Sequence, residues 1–306
     1  MTELADGSVS LVVTSPPYFI DPADTGINPA LLRNAGGDIP DDYAALLALL
    51  SRCFAEVWRV LKPGGIACVN VASTSVKGTT YSLPADLLVR LRDAGWQVKE
   101  ELIWRRWRGW DRRAGGLLKQ PYPGYYFPNR VHEQVFVLKK PGAPIYAGKH
   151  DDQKWASAVM DAVLATRPNE SAEKTFYTAE LANSIWNISP VLPQRKGADN
   201  GNHPCPFPEE LAYRLIALYS YRGDLVLDPF TGSGTVAKVA HRLARRFIGY
   251  ELNPAFVTVA AKRVLDGSPV VRERRVARFE TVSGGGDKPG DTCYRGGEIT
   301  RNRPRP

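Results

Sequence analysis

Apolar and polar residues follow two rhythms along this chain, and the rhythm changes at prolines and glycines. Val9 to Thr14 is a short apolar run that stops at Ser15-Pro16-Pro17, which predicts a buried strand ended by residues that cannot extend a ladder. From Asp41 to Leu61, the residues Tyr43, Leu46, Leu47, Leu50, Phe54, Val57, Trp58 and Leu61 fall at helical spacing. Asp41 and Asp42 suit the helix start, and Lys62-Pro63-Gly64-Gly65 is its stop. Ile66 to Val71 predicts a strand and Leu83 to Ala94 a helix, with Pro84 in its first turn. Trp96 to Trp104 and His132 to Leu138 predict two more strands. Residues 140–200 are rich in Pro, Asn, Asp and Lys without a long period, so an irregular insertion is expected there. Regularity returns with a helix from Pro208 and a strand at Leu225 to Leu227. A helix at Thr235 to Leu243, a strand at Arg246 to Tyr250 and a helix at Pro254 to Val264 follow.

Strands separated by helices predict an α/β fold with a mostly parallel sheet covered on both faces. The chain has 306 residues, 43% of them hydrophobic, enough to bury a sizeable core without disulfides or metals. It contains no run of 18 apolar residues, and its opening residues lack a basic-then-apolar signal. Cys53, Cys68, Cys205 and Cys293 are far apart and show no zinc-ligand spacing, as expected of reduced thiols in a cytoplasmic protein. From Asp266 onward, Gly-rich and Arg-rich stretches predict a flexible basic tail.

The formal net charge is +8, and much of that excess is concentrated. Between Arg105 and Arg130, the cations Arg105, Arg106, Arg108, Arg112, Arg113, Lys119 and Arg130 face one acid, Asp111. Trp107, Trp110, Tyr122, Tyr125, Tyr126 and Phe127 are interleaved with them. Arginine neutralises phosphate and aromatic faces stack on bases, so this segment is a candidate nucleic-acid contact; a solvated basic loop is the plainer alternative.

Two motifs carry chemistry. Asp228-Pro229-Phe230-Thr231-Gly232-Ser233-Gly234-Thr235 follows a strand and opens a helix, and Glu251 ends the next strand, 19 residues after Gly232. Glycines permit a sharp turn and close approach of a ligand, the helix start offers free N–H groups, and a carboxylate placed like Glu251 can hold a ribose. Gly232-x-Gly234-x-x-Ala237 also satisfies a loose dinucleotide fingerprint. Asp228 would repel a pyrophosphate, however, and suits the cationic amino-acid end of S-adenosylmethionine. The second motif is Thr14-Ser15-Pro16-Pro17-Tyr18, at the carboxyl end of the first strand. Its prolines remove N–H donors and leave carbonyl acceptors, Ser15 adds a hydroxyl and Tyr18 a flat face. Such a pocket accepts hydrogen bonds from an amino group and stacks the ring that bears it.

Together and in this order, the motifs resemble the permuted, beta-type amino-methylating DNA methyltransferases, in which a Ser/Asp-Pro-Pro-Tyr motif precedes the cofactor glycines. The resemblance runs from Val9 to Leu265 and includes Arg59 to Gly65, His132 to Lys140, His203 to Pro208 and Phe247 to Asn253. The Ser-Pro-Pro-Tyr form looks like the members that act on N4 of cytosine, and the Asp-Pro-Pro-Tyr form is commoner in those acting on N6 of adenine.

The resemblance implies a Rossmann-like methyltransferase fold of permuted motif order with an irregular target-recognition insertion. Residues 1–140 would form the catalytic half, including a basic DNA-contact loop at 105–130, and 141–200 the target-recognition region. Residues 201–266 would form the cofactor half and 267–306 a basic tail. It implies Ser15, Pro16, Pro17 and Tyr18 as the catalytic loop, with the Ser15 hydroxyl and Pro16 carbonyl accepting the two amino hydrogens of an extruded cytosine. Asp228, Phe230, Gly232 and Gly234 would surround the methionine end of S-adenosylmethionine, Glu251 would hold the ribose, and Phe207 and Pro208 lie near the helix closing the pocket. Thr231, Thr235 and Asn253 complete the cofactor set, and Arg105, Arg106, Arg108, Arg112, Arg113 and Lys119 the DNA set. The implied partner is double-stranded DNA, in the cytoplasm and on the nucleoid of a bacterium, with a cognate restriction endonuclease as genetic partner. The oligomeric state, monomer or dimer, stays open. Such enzymes also carry a further strand and an acidic residue that contacts the cofactor adenine before the catalytic strand; either the protein's start lies upstream or, the preferred expectation, Pro269 to Thr281 returns to supply the strand, which leaves the adenine contact unassigned. An adenine-N6 enzyme, a non-catalytic DNA-binding module and an RNA or protein methyltransferase are the competing readings.

Overall fold

Strand β1 (Val9–Thr14) is buried along its whole length and lies at the centre of a nine-stranded sheet. The computed structural model describes residues 1–19, 43–76, 79–106, 130–146, 181, 183–191, 208–266, 276–277, 280–283, 292–295 and 298–299. Helix α1 (Tyr43–Val60) precedes β2 (Leu61–Val71), which pairs parallel with β1, Leu11 opposite Ile66 and Thr14 opposite Val69. The expected helix stop at Lys62 to Gly65 is part of β2. Gly64 adopts φ 77° and donates to the Lys140 carbonyl at 3.0 Å, and a side chain there would run into the Ala143 carbonyl. The same residues that end the helix therefore place an irregularity in the strand.

Strands β3 (Thr74–Val76) and β4 (Thr79–Tyr81) form a separate small pair. Helix α2 (Leu83–Asp93) follows, then β5 (Gln97–Arg106) and β6 (His132–Lys139), which pair antiparallel with each other, β6 also with β2. The irregular insertion contributes β7 (Ile185–Ile188), a parallel edge strand beside β5. Fully buried Trp186 is its anchor, and the Trp104 indole donates to the Ile188 carbonyl at 2.9 Å. Four residues are too short for periodicity to announce.

The second half alternates as expected: α3 (Glu209–Tyr219), β8 (Leu225–Asp228), α4 (Thr235–Arg242), β9 (Arg246–Glu251) and α5 (Pro254–Asp266). The tail supplies β10 (Val276–Ala277), β11 (Glu280–Ser283), β12 (Thr292–Arg295) and β13 (Glu298–Ile299). The strand added beside β9 is β12, with Thr292 opposite Glu251, and not one within Pro269 to Thr281; Val276–Ala277 pairs instead with β13. In sheet order the strands run β11-β12-β9-β8-β1-β2-β6-β5-β7. The four central strands are parallel, and antiparallel pairings flank them.

Alternation along β1 splits the core. Leu11 and Val13 face Leu211, Leu215, Val236 and Val264 of α3, α4 and α5, while Val12 faces Leu46, Leu50 and Phe54 of α1 and Leu87 of α2. Each fully buried leucine contributes roughly 1.5–3 kcal/mol, and cutting one to alanine costs about 2–5 kcal/mol. Among the described residues, no helix is long and apolar enough to cross a membrane.

The strand order also positions the site. From β1 the chain crosses to β2 on one side, and from β8 it crosses to β9 on the other. Adjacent parallel strands whose connections diverge leave a crevice beyond their carboxyl ends, where ligands of open α/β sheets bind.

Candidate active site

The carboxyl ends of β1 and β8 bring the two motifs together. Thr14, the last residue of β1, donates its hydroxyl to Asp228 Oδ1 at 2.7 Å, across 214 residues of chain. Both side chains are buried.

On the β1 side, Ser15-Pro16-Pro17-Tyr18 leaves the strand with Pro16 buried and the other three half-buried. Ser15 Oγ lies 3.2 Å from the Tyr18 hydroxyl, which donates to Glu133 Oε2 at 2.8 Å. Asn70 Nδ2 donates to the same carboxylate oxygen at 2.7 Å and reaches the Tyr18 hydroxyl at 3.1 Å and Ser15 Oγ at 3.5 Å. Arg106 Nη1 is 3.4 Å from Glu133 Oε1. The cluster satisfies the Tyr18 hydroxyl and the Glu133 carboxylate, while Asn70 Oδ1 is buried without a hydrogen-bond partner among the described residues. Beyond Tyr18, Phe19 packs into an aromatic trio with Tyr43 and Tyr81, ring centroids 4.8–5.4 Å apart, which pins the far end of the loop to α1 and β4. Sequence reasoning misses Asn70 and Glu133 as site residues. The available signal is a lone amide in the apolar run Cys68 to Val71 and a lone acid at the head of an apolar strand.

On the β8 side, Asp228 Oδ1 also accepts the Phe230 N–H at 3.1 Å. Burial pushes the Asp228 carboxyl up to about 7, against the Thr14 and Phe230 hydrogen bonds that favour its charged form. Among the described residues it has no ion-pair partner, so a ligand cation would supply what the fold omits. The loop then turns through Gly232 (φ 52°) and Gly234 (φ 80°). A Cβ on Gly234 would stand 2.5 Å from the Ala260 side chain of α5, so both conformation and packing demand glycine. Thr231 braces the turn from within: its N–H donates to the Tyr250 carbonyl at 2.9 Å and its hydroxyl to the Asp228 carbonyl at 3.0 Å.

Glu251 accepts the Gly232 N–H on Oε2 and the Asn253 N–H on Oε1, both at 2.8 Å. Burial raises its carboxyl above the ordinary value, opposed by these amide donors. It therefore holds the glycine loop from the end of β9. Thr235 accepts from Arg263 at 3.2 Å, and Arg263 also reaches Glu209 at 3.1 Å. Lys238 meets the same Glu209 oxygen at 2.7 Å, so α3, α4 and α5 are tied behind the loop. Pro208 is buried at the start of α3.

Of the basic set, Arg105 is exposed and Arg106 is turned onto Glu133 and the Arg130 carbonyl. Arg130 braces the small pair, donating to Ser75 Oγ at 2.7 Å and Thr80 Oγ1 at 2.9 Å. Arg108, Arg112, Arg113, Lys119 and Phe207 lie outside the described residues.

Residues 9–262 match a family model described as DNA methylase, covering the N6 and N4 enzymes. The chain is 30% identical over 275 residues to the type II methyltransferase M.MthZI of Methanothermobacter thermautotrophicus, covering 86% of this chain and 73% of that one. A Thermus thermophilus protein described as a putative DNA modification methylase, solved with S-adenosyl-L-methionine, superposes with a TM-score of 0.60 at 29% identity. That alignment covers 88% of this chain and 90% of the other. The cytosine-N4-specific PvuII DNA methyltransferase superposes with a TM-score of 0.60 at 21% identity, covering 87% and 82%, a likeness of fold.

Proposed function

The chain belongs to the N6/N4 DNA methylase family, and from that premise we propose that it transfers the methyl group of S-adenosylmethionine to N4 of cytosine in duplex DNA. The observation that carries this reading is the Thr14–Asp228 hydrogen bond, which sets an amino-accepting loop and a cation-seeking carboxylate side by side at the switch point. S-adenosylmethionine, when bound, supplies an electrophilic methyl group on a sulfonium. Asp228 would hold its ammonium group and Glu251, with Asn253, its ribose. Phe230, Thr231, Gly232, Gly234 and Thr235 would line the loop, and Pro208 with Phe207 the closing helix.

The exocyclic amino group is a poor nucleophile, because its lone pair is delocalised into the ring. Ser15 Oγ and the Pro16 carbonyl accept its two hydrogens and favour a pyramidal nitrogen with the lone pair directed at the methyl group. Positioning and preorganised acceptors then supply the acceleration, with no covalent enzyme intermediate. A base within a duplex cannot reach such a pocket, so the cytosine is extruded and rests against the Tyr18 ring. Arg105 and the cations after it contact phosphates, and residues 141–200 read the site. A restriction endonuclease of the same specificity is the genetic partner. The Ser15 hydroxyl, in place of the aspartate commoner in adenine enzymes, supports cytosine as the target.

Digestion of DNA methylated by the protein to nucleosides, followed by mass spectrometry, tests the reading. N4-methylcytosine is expected. N6-methyladenine would move the same chemistry to the other base, and an absence of methylated nucleosides on every duplex offered would overturn it.

A further inference from the structure

We propose that Glu133 is the terminal acceptor for the proton released by the target amino group, reached through Ser15 and Tyr18. The inference rests on the reading of Ser15 to Tyr18 as the catalytic loop. When the amino nitrogen uses its lone pair to form the N–C bond, the C–S bond breaks and its electron pair stays on sulfur. The nitrogen is then cationic and must lose one proton, and that proton needs a destination.

The hydrogen-bond order supplies one. A carboxylate only accepts, so the 2.8 Å contact fixes the Tyr18 hydroxyl as donor to Glu133 Oε2. The single Tyr18 proton is thereby used, and the 3.2 Å contact with Ser15 has Ser15 as donor and the Tyr18 oxygen as acceptor. Ser15 Oγ is left with lone pairs for the substrate, the polarity an amino acceptor requires. The same order is a path. The amino proton passes to Ser15 Oγ, the Ser15 proton to the Tyr18 oxygen, and the Tyr18 proton to Glu133. One proton leaves nitrogen, one arrives at the carboxylate, and each hydroxyl is restored. Asn70 Nδ2, donating to the same Glu133 oxygen at 2.7 Å and to the Tyr18 hydroxyl at 3.1 Å, keeps the two in register, and Arg106 Nη1 lies 3.4 Å from the other carboxylate oxygen, Oε1. Glu133 is 7% exposed and Asn70 1%, so the accepting end of the path is shielded from bulk water.

Glu133→Gln keeps an acceptor for the Tyr18 hydroxyl but cannot take the proton, and Tyr18→Phe keeps the stacking face but cuts the path. Each is expected to lower the single-turnover methyl-transfer rate by about a hundredfold or more, the contribution of one general base. Because the links are in series, the double variant is expected to be no slower than the worse single one. Cofactor affinity, duplex affinity and the fluorescence of a 2-aminopurine at the target position, which reports base extrusion, are expected to stay at wild-type values. Infrared difference spectra of the wild type across one turnover are expected to show a protonated carboxyl that is missing in Glu133→Gln. Wild-type rates in both variants, or a rate loss accompanied by loss of extrusion and cofactor affinity, would overturn the relay. Ser15→Ala run beside them separates the two claims: if it alone is slow, the catalytic-loop reading stands and the relay falls; if it too is fast, both fall.

Discussion

At the β8 end of the crevice, Glu251 is held by the backbone N–H groups of Gly232 and Asn253, and Asp228 by the nearby Phe230 N–H together with the Thr14 hydroxyl of β1. At the β1 end, Ser15 and Tyr18 are held by side chains of Asn70 and Glu133, from β2 and β6, with Arg106 of β5 behind them. A carboxylate held by amides is fixed as soon as its loop folds, whereas a hydroxyl held by distant side chains is fixed only when the whole sheet is assembled. Apart from the Thr14 bond, the β8 end is thus a local device and the β1 end a tertiary one. Thr14 is the side-chain hydrogen bond that links them.

The sharpest way to break the catalytic end alone is Ser15→Ala. Removal of an acceptor needed in the transition state is expected to slow methyl transfer by about two to four orders of magnitude, with cofactor affinity nearly unchanged, in single-turnover and calorimetric assays. A parallel loss of cofactor affinity would show that the two ends are one unit.

Asp228 probes the other end. Asp228→Ala is expected to weaken S-adenosylmethionine about ten- to a hundredfold, the loss of a charge-assisted hydrogen bond. Its raised carboxyl adds a pH signature. In the empty pocket Asp228 keeps its proton up to about pH 7, while a cation binds the ionised form. Affinity is expected to fall, by at most about tenfold per unit, as pH drops below about 7, with proton release visible by calorimetry in buffers of different ionisation enthalpy. The sign for folding is the opposite. The native state binds this proton more tightly than the unfolded chain, whose carboxyl titrates near the ordinary 3.8, so stability falls as pH rises between those values. Asp228→Asn is therefore expected to raise Tm above pH 7 while it abolishes the pH dependence of cofactor binding.

Thr14→Val sharpens the comparison, because it cuts the link with little change of shape. Loss of a buried donor to a carboxylate costs about 1–3 kcal/mol, and it is expected to lower Tm and weaken cofactor binding severalfold, with a smaller effect on the transfer step than Ser15→Ala. The smallest effect is expected at the exposed Arg105. Its replacement by alanine should reduce the slope of log duplex affinity against log salt by about 0.9, equally on cognate and scrambled duplexes; an unchanged slope would take it out of the phosphate contacts.

The β8 end of the crevice is legible in the sequence because its parts are contiguous. Asp228 to Thr235 and Glu251 are separated by one helix and one strand, and strand–glycine turn–helix is a periodic signal. Ser15 to Tyr18 is equally visible as a motif. What holds it is not, because Asn70 lies 55 residues from Ser15 and Glu133 lies 115 residues from Tyr18; Asn70 reads as a lone amide in an apolar run and Glu133 as one of the polar residues that open β6. The same reason hides β7 and β12, four residues each, whose places are set by neighbours in the sheet. The stop at Lys62 to Gly65 is legible as a breaker, and its use as a strand irregularity depends on Lys140 and Ala143, which meet it only in the fold.

The most direct test of the central claim is a crystal structure with S-adenosylhomocysteine and a duplex carrying the mapped target cytosine. The expected result is the homocysteine ammonium on Asp228 and the extruded cytosine against Tyr18, its N4 within hydrogen-bond distance of Ser15 Oγ and the Pro16 carbonyl. A nucleoside bound away from the β1–β8 crevice, or a target base left stacked in the duplex of a competent complex, would contradict it.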